Sequence, residues 1–86
     1  MENKSAQYTV SILTKNQIGL LVTICSIFTR RGLSIWSINA SATSVENVHR
    51  IAIVVIDADE HSIECAVKQI EKQVDVIKAT YTKEEI

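Results

Sequence analysis

The sequence predicts an α+β fold with the element order β-α-β-β-α-β, and three observations carry that expectation. Residues 7–13 alternate, with Tyr8, Val10 and Ile12 on one side and Gln7, Thr9 and Ser11 on the other, the period of a half-buried strand. Two later stretches have helical spacing: Leu20, Leu21, Ile24, Cys25, Ile27 and Phe28 form one apolar stripe, and Ile63, Ala66, Val67, Ile70 and Val74 form another. Between them, Val48 to Ile56 is the most β-branched run in the chain, as a central strand requires.

The remaining elements follow in order. Thr14 to Gln17 is polar and reads as a loop. The helix from Ile18 to Arg31 turns Thr23, Ser26, Thr29 and Arg30 outward, and Arg30, Arg31 and Gly32 supply its stop signal. Leu33 to Thr43 is extended, with Trp36, Ile38, Ala40 and Ala42 in one register and Ser37, Asn39, Ser41 and Thr43 in the other. Ser44-Val45-Glu46-Asn47 is the expected hairpin turn. Asp57-Ala58-Asp59 ends the next strand, and either Asp can cap the second helix. On that helix Glu64 and Lys68 make an outward i,i+4 pair. Asp75 to Tyr81 is extended again, and the tail from Thr82 to Ile86 reads as frayed.

With no internal linker, one domain over 7–82 is expected, flanked by a disordered 1–6 and a frayed 83–86. This order is the split βαβ, ferredoxin-like arrangement: two helices on one face of an antiparallel sheet, with the first and third strands central.

One feature does not fit a self-contained domain. The 48–56 run is apolar on both faces, with Ile51, Ile53 and Val55 on one and Ala52, Val54 and Ile56 on the other. Two helices cover only one face, so a partner is expected on the other. Trp36, the one Trp of the chain, falls on the expected edge strand. Pairing that edge with its counterpart in a second copy gives a homodimer and removes an exposed edge.

Composition narrows the function. The 86 residues are 47% apolar and 22% charged, with a net charge of −1, which leaves no basic footprint for nucleic acid. Ile18 to Phe28 is the longest apolar stretch; Thr23 and Ser26 interrupt it, and it falls far short of the ~20 residues of a membrane span. The N-terminus is polar, without the apolar core of a signal peptide, so a cytoplasmic location is expected. Cys25 and Cys65 lie in apolar helical patterns, with neither CxxC spacing nor a His partner, and read as buried reduced thiols.

Catalytic constellations are missing. His49 and His61 read as surface residues, and Glu60, His61 and Glu64 lack a third ligand for a metal. Ser34, Ser37, Ser41 and Ser44 have no local base. Acylphosphatases of this topology use an Arg between the first strand and first helix, where this chain has only Lys15 and Asn16. RNA-recognition domains stack bases on strand aromatics, and the 48–56 run has none.

The stretch Asn16-Gln17-Ile18-Gly19-Leu20-Leu21 is the strongest candidate site. A cap residue precedes an apolar helix with Gly at its entrance. The free N–H groups and positive dipole end there suit a small carboxylate, and Gly19 lets it approach the backbone. The chain therefore reads as a sensor of a small molecule.

The topology, the Asn16-x-x-Gly19 entrance, the run Phe28-Thr29-Arg30-Arg31-Gly32-Leu33-Ser34-Ile35-Trp36-Ser37-Ile38 and the close Gln69-Ile70-Glu71-Lys72-Gln73-Val74-Asp75-Val76 together resemble the ACT domain. More narrowly, they resemble the N-terminal domain of the regulatory small subunit of acetolactate (acetohydroxyacid) synthase. The resemblance implies a non-catalytic, cofactor-free homodimer that binds valine or a related branched-chain amino acid between two ACT domains. It also implies feedback control of a separate thiamine-diphosphate-dependent catalytic subunit. The implied effector site takes Asn16, Gly19, Leu20 and Leu21 from one chain and Ser34 and Ile35 from its neighbour. Ser34 stands where the family usually has Asn, and Leu20 where it often has Ala. A stand-alone ACT module that senses another amino acid, or serves only in dimerisation, is the alternative.

Overall fold

In the computed structural model, which describes residues 6–15 and 18–84, the order is β1 (Ala6–Lys15), α1 (Ile18–Arg30), β2 (Ser34–Ala42), β3 (Val48–Ala58), α2 (Glu60–Glu71) and β4 (Val76–Glu84). The strands form one antiparallel sheet in the order β2-β3-β1-β4, so β1 and β3 are central as expected. This is the ferredoxin-like α+β fold.

The period-two pattern of β1 sets the core. Tyr8 pairs with Val55, Val10 with Ile53 and Ile12 with Ile51, and all six are buried. Ala79 and Tyr81 of β4 extend that row beyond Ile12 and Val10, and the Tyr8 and Tyr81 rings meet edge to face at 6.0 Å. The helices close over it with Leu20, Ile24, Ile27 and Phe28 from α1 and Ile63, Ala66, Val67 and Ile70 from α2. Thr23, Ser26, Thr29 and Arg30 are exposed, as the helical spacing required.

Each helix boundary has a local cause. Gly32 has φ +69°; its N–H donates to the Thr29 carbonyl and that of Leu33 to the Phe28 carbonyl at 3.0 Å, a Schellman stop. Leu33, just past the stop, packs against the core that holds Phe28. For α2 the cap is Asp59: one carboxylate oxygen accepts from the Ser62 N–H at 3.2 Å and the other from its hydroxyl at 2.9 Å. Asp57, the other candidate, sits at φ +54° two residues earlier. In the β2–β3 hairpin, the Thr43 hydroxyl donates to the Val48 carbonyl at 2.9 Å and Asn47 takes φ +64°.

Five expectations need correction. Val74 does not continue the α2 stripe: the helix stops at Glu71, and the Val76 N–H closes a turn on the Gln73 carbonyl with Val74 on its corner, 94% exposed. The tail is not frayed from Thr82, because β4 runs on through Glu84. Thr82, Lys83 and Glu84 pair with Thr9, Tyr8 and Gln7, and Thr9 Oγ1 donates to the Glu84 carboxylate at 3.1 Å. Residues 85–86 lie outside the described residues, as do 1–5, while Ala6 is already in β1 opposite Ala58. In β2 a bulge between Ile35 and Ser37 makes Trp36 the extra residue, so Ile35 takes its place in the row with Ile38, Ala40 and Ala42. Finally, neither cysteine is fully buried, and Cys65 does have a His neighbour: the His61 Nε2 atom lies 3.6 Å from its sulfur.

Among the described residues, the far face of the sheet carries no helix. There Val54 lies between Thr9 and Ser37, and Ala52 between Ser11 and Asn39. Ala52, Val54 and Ile56 are each half-buried, a narrow apolar row between small polar neighbours.

Candidate functional site

β1 ends at Lys15, whose N–H donates to the Asp75 carbonyl at 2.9 Å and so ties this corner to the turn before β4. α1 begins at Ile18, which puts Gly19 second in the helix and Leu20 and Leu21 in the same first turn. In a helix starting there the first-turn N–H groups have no intrahelical acceptor and sit at the positive end of the dipole. No acidic side chain occupies that turn to neutralise it. Leu20 is buried against the core and Leu21 is half-buried. Asn16, the expected cap, lies outside the described residues.

The other half of the predicted site opens β2. Ser34 is exposed opposite Ile56, while Ile35 is half-buried opposite Val55. A helix rises 1.5 Å per residue, so Gly19 and Arg30 are about 16 Å apart along the α1 axis. Gly19, Leu20 and Leu21 are thus brought together at one end of α1. Ser34 and Ile35 follow its other end, and a single chain does not join the two groups.

A feature that the sequence reading missed lies on the outer side of α1. Leu21, Val22, Cys25, Ser26, Thr29 and Arg30 line an open, mostly apolar groove of about 530 Å³. Its signal was Val22, an apolar residue off the buried stripe and 69% exposed. Beyond α1, the face of β2 that points to the helix layer is also uncovered: Ile38 is 39% exposed, and Ala40 and Ala42 are exposed. Trp36, at 71% exposure, lies on the same edge strand.

The perturbed titrating groups lie elsewhere. The Ser62 hydroxyl and N–H hold the Asp59 carboxyl below its ordinary value, and the hydrogen bond from the Tyr81 hydroxyl to Glu60, 2.9 Å, holds that phenol above its own. Among the described residues no three His, Cys, Asp or Glu side chains converge on one point, and no helix is long and apolar enough to cross a membrane.

Topology and strand order are those of an ACT-type domain. A family model described as the AHAS small subunit-like ACT domain matches residues 10–78, and the chain belongs to that family. The acetolactate synthase small subunit of Mycolicibacterium smegmatis is 33% identical over 85 residues, 99% of this chain and 49% of that protein. Its Bacillus subtilis counterpart is 37% identical over 71 residues, 83% of this chain and 41% of that protein. The crystal structure of the small subunit from Thermotoga maritima superposes with a TM-score of 0.75 at 33% identity, covering 87% of this chain and 46% of that one. The chain spans about half the length of the curated relatives it matches.

Proposed function

We propose that this chain is the ACT portion of an acetolactate synthase regulatory subunit, and that it binds valine or a related branched-chain amino acid between two copies of itself. The observation that carries this reading is topological. α1 and β2 are consecutive and run antiparallel across a tight turn at residues 31–33, so the start of α1 lies by the end of β2. Two copies that pair β2 with β2 antiparallel, about a two-fold axis, bring the start of the partner's strand beside the end of this one. That places Ser34 and Ile35 of one copy against Gly19, Leu20 and Leu21 of the other, twice per dimer.

The chemistry of such a site suits a free amino acid. First-turn N–H groups hold the carboxylate, and Gly19 keeps the approach to the backbone open. Leu20, Leu21 and Ile35 offer apolar surface to an aliphatic side chain, and the Ser34 hydroxyl is available to the ammonium. Pairing also covers the exposed β2 edge and brings the outer face of α1 toward its twin. Effector binding then biases the dimer arrangements that the catalytic subunit meets on the apolar sheet face, giving feedback control.

Calorimetric titration of the chain with valine, leucine and isoleucine, beside acetolactate assays of the catalytic subunit with and without the chain, tests the reading. Binding of at least one of the three, and a change in acetolactate formation that the bound amino acid alters, are expected. Dimers that give no heat and leave acetolactate formation unchanged would favour a dimerisation module instead. A Gly19→Val variant keeps a helix propensity no worse than that of Gly, and effector affinity undiminished in it would place the carboxylate elsewhere.

A further inference from the structure

We propose that Trp36 of one copy is a wall of the effector pocket on the other, packing on the aliphatic side chain of the bound amino acid. The assignment rests on the branched-chain amino acid reading and adds to it the residue that selects the side chain. Its starting point is the bulge between Ile35 and Ser37. Ile35 packs against the core, whereas Trp36, the extra residue, is 71% exposed. A bulge re-aims a side chain while the strand continues past it. The indole is a large apolar surface held on an edge strand, away from the core that Ile35 joins.

Two-fold pairing of β2 supplies a place for it. The strand runs from Ser34 to Ala42, so a two-fold through its middle residue, Ile38, sets Trp36 opposite Ala40 of the other copy and Ser34 opposite Ala42. Ala40 pairs with the buried Ile51, and Ala42 with His49, itself opposite the buried Thr14, so both alanines are on the helix-facing side of the sheet. Both are exposed, and their methyl groups leave a shelf between the end of β2 and the first turn of α1. Small residues there make room for an indole that larger ones would hold off. Trp36 then stands beside Ser34 and Ile35 of its own chain and faces Leu21 of the other. No charged side chain is among Ile35, Trp36, Ala40, Ala42 and Leu21, so an acidic or basic effector would bury its side chain unpaired, whereas an aliphatic one would not.

Trp36 is the only Trp in the chain, so tryptophan emission reports on its surroundings alone. At concentrations where sedimentation shows dimer throughout, titration with valine, leucine and isoleucine should shift that emission to the blue, in step with the calorimetric heat. Trp36→Ala should weaken binding of the tightest of the three about tenfold, and Trp36→Phe should restore most of it. The deciding measurement is the affinity ratio between that amino acid and its analogue lacking one side-chain methyl (2-aminobutyrate for valine, norvaline for leucine or isoleucine). A residue that only strengthens the dimer changes both affinities by the same factor. A wall against the side chain sets their ratio, which should be about tenfold or more in the parent and fall toward one in Trp36→Ala. An emission unmoved by a ligand that gives heat, or a ratio unchanged in Trp36→Ala, would overturn the assignment and leave the amino-acid site standing. No heat from any of the three amino acids would remove both.

Discussion

Gly32 offers a clean measure of how the α1–β2 corner is held, and that corner sets the distance within one chain between the two halves of the proposed site. Its φ of +69° lies in the left-handed region, and a Cβ added there would meet nothing within 4 Å. The cost of Gly32→Ala therefore comes from the backbone alone. Holding an L-residue in that conformation costs about 1–2 kcal/mol, while the loss of glycine's freedom in the unfolded chain returns about 0.4–1 kcal/mol. A net loss near 1 kcal/mol is left, which for a domain of this size lowers the melting temperature by about 4–8 °C. Asn tolerates the conformation better than Ala, and a β-branched residue tolerates it worst. The expected order of stability is Gly, Asn, Ala, Val. Thermal melts followed by circular dichroism, with urea titrations whose slope stays constant, read the series. An Ala variant as stable as the parent, or a Val variant no worse than Ala, would refute the argument that conformation, and not packing, selects glycine here.

Other expectations follow from the same geometry. Ile53, fully buried on β3 between Val10 and Ile38, should cost about 2–5 kcal/mol when cut to Ala, enough to unfold much of so small a domain in mild urea. Ile56→Ala, on the uncovered face, should cost clearly less in the isolated chain. Trp36→Ser should leave the melting of the monomer nearly unchanged because the indole is 71% exposed. Sedimentation should show weaker self-association if β2 is the pairing edge. Asp59 titrates below its ordinary value of 3.8 because Ser62 donates to its carboxylate. Its contribution to stability is present above that value and lost as pH falls through the lower folded value. Asp59→Asn keeps an acceptor at the helix start but removes the titration, so its stability should fall less steeply on acidification below pH 4.

Much of this architecture was legible because it rests on local period and local caps. Tyr8, Val10 and Ile12 alternate into the core, the α1 stripe buries Leu20, Ile24, Ile27 and Phe28 while Leu21 and Cys25 at its margin stay half-buried, and Arg31–Gly32 stops the helix where the sequence says it should. What was not legible depends on tertiary choices. The bulge at Trp36 arises from how β2 registers against β3, and no alternation in β2 itself reveals that Ile35 takes the helix-facing place. Val74 continues the helical spacing perfectly well, yet the chain must turn at Gln73 to send β4 back alongside β1. The tail is polar, but its backbone pairs with β1, and ladder hydrogen bonds do not require apolar side chains. The same limit holds for the candidate site. Gly19 and Ser34 carry local signals, whereas the meeting proposed for them depends on a second chain.

That dependence has a physical consequence for regulation. On the proposed reading no single chain holds a complete site, since about 16 Å of helix separates its halves. Ligand binding and self-association are then parts of one equilibrium: whatever tightens the dimer tightens the effector, and the reverse, by the same factor. At a ligand concentration one hundred times its Kd, each site adds about 2.7 kcal/mol to the assembled state. Two sites per dimer favour pairing by about 5 kcal/mol, close to four orders of magnitude in the association constant. A module of this size, with a small core and an open edge strand, gains from such coupling a sensitivity that its own packing does not supply. The exposed β2 edge, a liability in an isolated sheet, is on this account the element that lets the concentration of a metabolite set how much dimer is present.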